Sequence, residues 1–146
     1  MEFMKISAFA DKNFKTPLKD QHKKPVNPYM MMINPDTIRL QQSFGLTTDD
    51  GPKCEGKLSF ETVIDCTGIV DATRTDLPAE MSRITSILYQ YKNNTYKPNY
   101  VPIQWGNNLN FYGVLASLDT SYTLFKPDGT PLRVKLSFVL NQYIKS

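Results

Sequence analysis

The stretch from Leu118 to Tyr143 constrains the fold of this chain more than any other, because it holds two alternating runs joined by an explicit turn. Within Lys126-Pro127-Asp128-Gly129-Thr130, proline presets φ at the first corner, aspartate suits the second, and glycine accepts the left-handed position. The spacing predicts a type I turn followed by a glycine bulge. Beyond it Leu132, Val134, Leu136, Phe138 and Leu140 fall on one face, with Arg133, Lys135, Ser137 and Asn141 on the other. That is the period of a strand with one buried side. The pair reads as an antiparallel hairpin, and none of its residues has catalytic character.

The rest of the chain supplies further strands and one helix. Phe3 to Phe9 alternates Met4, Ile6 and Ala8 against Lys5 and Ser7 and reads as a first strand. The pattern then stops. Residues 10–28 contain Pro17, Pro25, Pro28 and most of the N-terminal lysines, which predicts a long exposed loop and a candidate inter-subunit arm. Tyr29 to Ile33 is a short apolar strand halted by Asn34-Pro35, since the residue before proline avoids the helical region. Its methionines read as gap-filling core rather than a soft-metal site. A third strand runs from about Thr37 to Leu46 on the alternation of Ile38, Leu40, Gln42 and Phe44, and Asp49-Asp50-Gly51-Pro52 ends it as a turn.

Leu58, Phe60, Thr62, Ile64 and Cys66 then share one face against Lys57, Ser59, Glu61 and Asp65, a fourth strand. The helix opens at Asp76-Leu77-Pro78-Ala79-Glu80, where aspartate caps, proline fits the first turn and glutamate complements the dipole. Met81, Ile84, Ile87, Leu88 and Tyr91 make its apolar stripe, Ser82, Arg83, Ser86 and Gln90 face water, and the helix is expected to end near Asn93-Asn94. Tyr100 to Trp105 is a fifth strand, whose Pro102 argues for an edge or a bulge. Gly106-Asn107-Asn108 turns the chain into Leu109 to Phe125, where Gly113 marks a bulge or bend. The fold class is mainly β, of α+β type, with one flanking helix, in a single domain over 1–146.

With 146 residues, 40% of them hydrophobic, the chain can close a core without disulfides or metal. No apolar run reaches the roughly 20 residues of a membrane span, and MEFMKISAF lacks the features of a signal peptide. Cys54 and Cys66 have a single histidine for company, so both read as reduced and no zinc site is indicated. Asp65, Asp71 and Asp76 match no calcium loop and read as loop acids or caps. A serine or cysteine triad would need His22, in the lysine-rich loop, and there is no phosphate-binding glycine motif. No catalytic residue, metal or cofactor is assigned.

The net charge of +3 resides wholly in residues 1–28, through Lys5, Lys12, Lys15, Lys19, Lys23 and Lys24, while the remainder balances. Such a loop could bind nucleic acid or an anionic surface, which is the alternative function, but it has no arginine and almost no aromatic residue to stack bases.

The order of several motifs resembles the tube and baseplate proteins of contractile injection systems, which are phage-tail-like particles. The residues concerned are Met32-Ile33-Asn34-Pro35, Leu58-Ser59-Phe60-Glu61 running to Asp65-Cys66-Thr67-Gly68-Ile69-Val70, Lys97-Pro98-Asn99-Tyr100, Gln104-Trp105-Gly106 and, above all, Tyr122 to Arg133 through Pro127-Asp128-Gly129. The resemblance implies an antiparallel split β-barrel or sandwich with one flanking α-helix, similar to phage tail-tube subunits. It implies a non-enzymatic homo-hexameric ring, in the inner tube or at the baseplate between spike and tube, with spike, tube and baseplate neighbours. Neither nucleic acid nor membrane insertion by the chain itself is expected. The particle would assemble in the bacterial cytoplasm and be released or membrane-anchored. Family members often carry a lysin-motif domain after the barrel, and none is expected here, since the sequence stops at Ile144-Lys145-Ser146. Lys12, Lys15, Lys19, Lys23, Lys24, Lys126, Arg133 and Lys135 are the candidate assembly or lumen contacts. Asn34, Pro35, Trp105, Gly106, Pro127, Asp128 and Gly129 are expected to be structural.

Overall fold

In the computed structural model, which describes residues 2–20, 22–47 and 51–142, the elements run in the order β1 (Lys5–Ile6), β2 (Tyr29–Met30), β3 (Ile38–Thr47), β4 (Gly51–Asp65), α1 (Leu77–Leu88), β5 (Tyr89–Lys92), β6 (Thr95–Pro98), β7 (Tyr100–Trp105), β8 (Leu109–Phe125) and β9 (Pro131–Gln142). Seven strands form one antiparallel sheet in the order β2-β1-β7-β8-β9-β4-β3, and β5 pairs with β6 as a separate ribbon. The sheet remains open, with β2 and β3 at its margins, so the architecture is mainly β with one helix and a split rather than closed wall. Among the described residues no helix is long and apolar enough to cross a membrane. The expected turn at Asp49-Asp50, the side chain of Cys54 and the end at Ile144-Lys145-Ser146 lie outside the described residues.

The hairpin forms as its turn residues dictate. Gly129 N donates to Lys126 O at 2.9 Å, Lys126 N donates to Thr130 O at 2.8 Å, and Gly129 sits at φ +90°. Asp128 Oδ1 accepts from Thr130 N at 2.9 Å, which closes the corner from the side-chain side. β9 then buries Val134, Leu136, Phe138 and Leu140 against Leu58, Phe60 and Ile64 of β4. Phe60 and Phe138 are direct cross-strand partners with stacked rings 4.8 Å apart. Each such side chain contributes about 1.5–3 kcal/mol on leaving water. Ile84, Ile87 and Leu88 lay the helix stripe on the same core.

Several boundaries differ from the sequence reading, each for a definable reason. The helix stops at Leu88, not near Asn93-Asn94, because buried Asn99 captures its end. Asn99 Nδ2 donates to Ser86 O at 3.2 Å and Ile87 O at 3.0 Å, and Asn99 N donates to Leu88 O at 2.9 Å. Tyr89–Lys92 leaves as a strand, and Asn93 and Asn94, at φ 53° and 62°, turn it back into β6. Two left-handed asparagines are the residues of a tight hairpin, a signal that the helical spacing of Tyr91 had masked. β7 is not an edge strand, since β1 and β8 flank it. Pro102 faces the short β1, where its carbonyl accepts from Ser7 N at 3.1 Å and its missing N–H limits the ladder. The register of β8 against β9 shifts between Leu115 and Ser117 and again from Tyr122 to Phe125, rather than at Gly113. Gly113 serves close approach instead, as a Cβ there would lie 2.9 Å from Asn141 O. Gly51 and Pro52 belong to β4, paired with Thr47 and Leu46.

Nothing lies within 4 Å of a Cβ built on Gly129, so a side chain there meets only the backbone penalty. Gly129→Val is expected to lower unfolding free energy by about 1–3 kcal/mol, read as a lower urea midpoint with unchanged slope. Gly129→Asn should cost far less, because asparagine tolerates positive φ.

Candidate functional site

The basic residues assigned to β9 prove to be paired within the chain. Arg133 lies directly across from Asp65 in the ladder, and its Nε donates to Asp65 Oδ2 at 2.9 Å. Lys135 Nζ reaches Glu61 Oε2 at 3.1 Å, and Ser137 Oγ donates to Glu61 Oε1 at 3.2 Å. Burial pushes the Asp65 carboxyl up, but hydrogen bonds from Thr67 and Arg133 outweigh it and hold the group below its ordinary value. Hydrogen bonding and charge from Lys135 lower Glu61 likewise. This polar face of the sheet is therefore a set of neutralised carboxylate–cation pairs. Lys126 stands apart from it, exposed at the hairpin turn.

The lysine-rich segment is not the featureless loop that its composition suggests. Phe14 is buried, with its ring centroid 4.7 Å from that of Tyr112, 5.9 Å from Phe9 and 6.0 Å from Tyr100. Leu18 is buried too, and its N–H donates to Ala8 O at 3.1 Å. Asp11 Oδ1 accepts from Lys15 N and Thr16 N, and Asp20 Oδ1 accepts from His22 N and Lys24 N, so each aspartate closes a local turn. These anchors leave Lys12, Lys15, Lys19, Lys23 and Lys24 exposed on a pinned scaffold. The structure thus places the eight candidate contacts in separate places rather than one site: five on this segment, two on the polar face of β9, and Lys126 at the turn.

A cavity of about 610 Å³ opens between this segment and the end of α1, lined by Leu18, Lys19, Asp20, Val26, Arg83, Ile87 and Lys92 among others. Below it lies a cluster that sequence reasoning missed. Glu80, expected to complement the helix dipole, is buried, and it takes Arg74 in a two-point pair and Arg83 NH1 at 3.2 Å. Both guanidiniums stack over the Tyr29 ring, at 5.1 Å and 5.3 Å. Burial, with the Glu80 charge adding to it, raises the Tyr29 phenol well above its ordinary value. The Arg74–Glu80 spacing, six residues apart across a helix cap, matches no standard pattern, which is why no sequence signal revealed it.

The expected structural motifs act on the chain start. Trp105 Nε1 donates to Glu2 O at 3.1 Å, Asn34 Nδ2 donates to the same carbonyl at 2.8 Å, and Met4 N donates to Asn34 Oδ1 at 2.9 Å. Pro35 is buried beside this clamp, and Gly106 turns the chain at φ +58°. The acids Asp71 and Asp76 take the local roles expected of them, Asp71 in a turn with Thr73 and Asp76 capping α1 through Ala79 N at 3.1 Å. Cys66 is buried, and burial together with the Glu80 charge pushes its thiol up, away from the thiolate a nucleophile requires.

The apolar residues of β3 are where expectation and structure part most. Leu40 is 45% exposed and Phe44 is 76% exposed, although their alternation with polar neighbours reads as a half-buried strand. β3 pairs with β4 alone. On the other side of the sheet β7 pairs with β8 only as far as Val114, so β8 from Leu115 to Phe125 is bonded to β9 alone and carries exposed Tyr122 and Phe125. Two long strand edges with apolar side chains therefore lack a partner strand among the described residues, a combination that monomers avoid.

Compared with known families, residues 1–146 match the model of the contractile injection system tube protein. Among curated proteins nothing matches.

The ion pairs set two expectations for stability. Glu80→Ala should destabilise by about 3 kcal/mol in chemical denaturation, because it strands two guanidiniums over Tyr29 without their shared carboxylate. Asp65, depressed in the folded state, contributes stability that is present above its unfolded value and lost as pH falls through the lower folded value. Acid titration of Asp65→Asn should show a shallower fall in stability below about pH 4 than the native chain.

Proposed function

From the premise that this chain belongs to the contractile injection system tube protein family, we propose that it is a non-enzymatic structural subunit that closes into a six-fold ring by joining its own strand edges. The ring forms part of the inner tube, or sits at the baseplate between spike and tube. The observation that carries this reading is the pair of unpartnered edges on β3 and β8. In the sheet they run in opposite directions and lie on opposite sides of β9, so β3 of one copy can continue the sheet antiparallel to β8 of the next with both core faces on the same side.

Side-chain parity restricts the register to every second residue, and apolar matching picks one of these. With Gln42 opposite Thr120, exposed Leu40 meets Tyr122 and exposed Phe44 meets Leu118, so each covers apolar surface that the single chain leaves in water. The two free stretches are offset by about six residues across the four strands from β8 to β3. That is roughly 20 Å along the strands against roughly 19 Å across them, a tilt of about 45°. A tilt of that size belongs to closed barrels, and head-to-tail contacts that close give rings. The polar face of β9 would then line the wall, with Arg133 and Lys135 already neutralised by β4, which suits a passive conduit.

Leu40→Glu and Phe44→Glu should leave the monomer as stable as the native chain, within about 0.5 kcal/mol, since both sites are exposed, while abolishing assembly in native mass measurement. A Gln42→Cys, Thr120→Cys double variant should cross-link between copies under mild oxidation, with each single substitution as control. Full assembly of both glutamate variants, or a native chain that stays monomeric at high concentration, would refute the edge pairing.

A further inference from the structure

The cavity between the pinned N-terminal segment and the end of α1 has two walls that the backbone fixes independently. On one side Val26 N donates to Leu18 O at 2.9 Å, Leu18 N donates to Ala8 O at 3.1 Å, and Lys19 pairs with Pro25 as an isolated bridge. On the other side Asn99 holds the last helical carbonyls, and Tyr89–Lys92 continues as β5 against β6. The space of about 610 Å³ is therefore preformed, at a size that encloses a small ligand or a few side chains. Leu18 and Ile87, both buried, give its lining apolar surface. Lys19, Arg83 and Lys92 supply three exposed cations against one acid, Asp20, whose Oδ1 is already engaged by the N–H groups of His22 and Lys24.

Arg83 is the side chain best prepared to hold a ligand. Its Nη1 donates to Glu80 Oε2 at 3.2 Å and its guanidinium lies 5.3 Å from the Tyr29 ring centroid, yet the side chain stays 55% exposed. One end of the guanidinium is thus fixed, while its other nitrogens have no acceptor among the described residues. That suits planar recognition of a carboxylate. Lys19 and Lys92 carry no acidic partner among the described residues. Tyr29 lines the same cavity, and its buried hydroxyl has no hydrogen-bond partner among the described residues. Both oxygens of Glu80 are taken by Arg74 and Arg83, and burial keeps the phenol protonated, so Tyr29 retains a donor. We propose that this cavity docks an acidic peptide segment of a partner protein, with a carboxylate on Arg83 between Lys19 and Lys92 and an adjoining apolar side chain against Leu18 and Ile87. A single-stranded nucleic acid fits less well, because the lining tyrosines Tyr89 and Tyr91 already pack their rings on Tyr96, leaving less free face for a base. The helix that bounds the cavity packs on the core face of the sheet, opposite Arg133 and Lys135. In a ring whose wall is that polar face, the cavity opens outward and the partner packs around the ring. This placement, unlike the chemistry of the cavity, rests on the ring reading.

The test is fluorescence anisotropy on the full chain with a short labelled peptide alternating Glu and Leu, its Gln and Leu counterpart, and a labelled deoxythymidine oligonucleotide. The acidic peptide is expected to bind about tenfold more tightly than either of the other probes. Lys19→Gln combined with Lys92→Gln should weaken that binding about fivefold, and so should Tyr29→Phe, with no fall in the urea midpoint of either variant. Equal binding of the two peptides, tighter binding of the oligonucleotide, or binding indifferent to the Lys19 and Lys92 substitutions would overturn the docking site. Repeating the titration on the assembled ring separates this proposal from the ring reading. Loss of peptide binding there places the cavity between copies and overturns the outer partner. A chain that binds the peptide as expected but forms no ring keeps the docking site and refutes the ring alone.

Discussion

The strand β9 is hydrogen-bonded on both sides along nearly its whole length, and the rest of the molecule is arranged around that fact. Its buried residues Val134, Leu136, Phe138 and Leu140 hold β4 on one flank and β8 on the other, and the helix closes over the same face. The neighbours are longer than the partners beyond them, however. β8 outruns β7, and the β3–β4 pair extends past Gln142, the last described residue of β9, at opposite ends of the sheet. A sheet built from strands of unequal overlap leaves edges at diagonal corners, and backbone groups there must find either water or another chain.

Charge is handled differently on the two sides of the molecule. On the polar sheet face, carboxylates of β4 answer the cations of β9, leaving little net field where Arg133 and Lys135 lie. Around the N-terminal segment no acid pairs with the lysines among the described residues, and buried Phe14 and Leu18 pin the segment that carries them. Neutralised pairs suit a wall past which other molecules move.

The buried Arg74–Glu80–Arg83 cluster over Tyr29 is a further constraint. It ties the segment before the helix, the first helical turn and the edge strand β2 into one body. Since Arg74 NH1 also donates to Met30 O at 3.0 Å, the outer edge of β2 is partly covered. The sheet is thus protected on its β2 side and open on its β3 side, an asymmetry that a head-to-tail assembly uses and a symmetric dimer does not.

Much of this was legible in the residues themselves. The Pro127-Asp128-Gly129 turn, the inward sets of β4 and β9 and the Asp76 cap are local patterns, decided by backbone sterics and by period-two or period-3.6 burial, and the sequence by itself determined them. The helix end, the position of β7, the partnership of Glu80 with two arginines and the exposure of Leu40 and Phe44 were not legible. Each depends on which distant group arrives: Asn99 at the helix carbonyls, β1 beside Pro102, Arg74 over Tyr29, and, among the described residues, no strand on the outer side of β3. Alternation states that one face of β3 is apolar, but only the tertiary structure decides whether the same chain covers that face. Periodicity reports the direction of a side chain, and burial requires a partner whose place is fixed by contacts far apart in sequence.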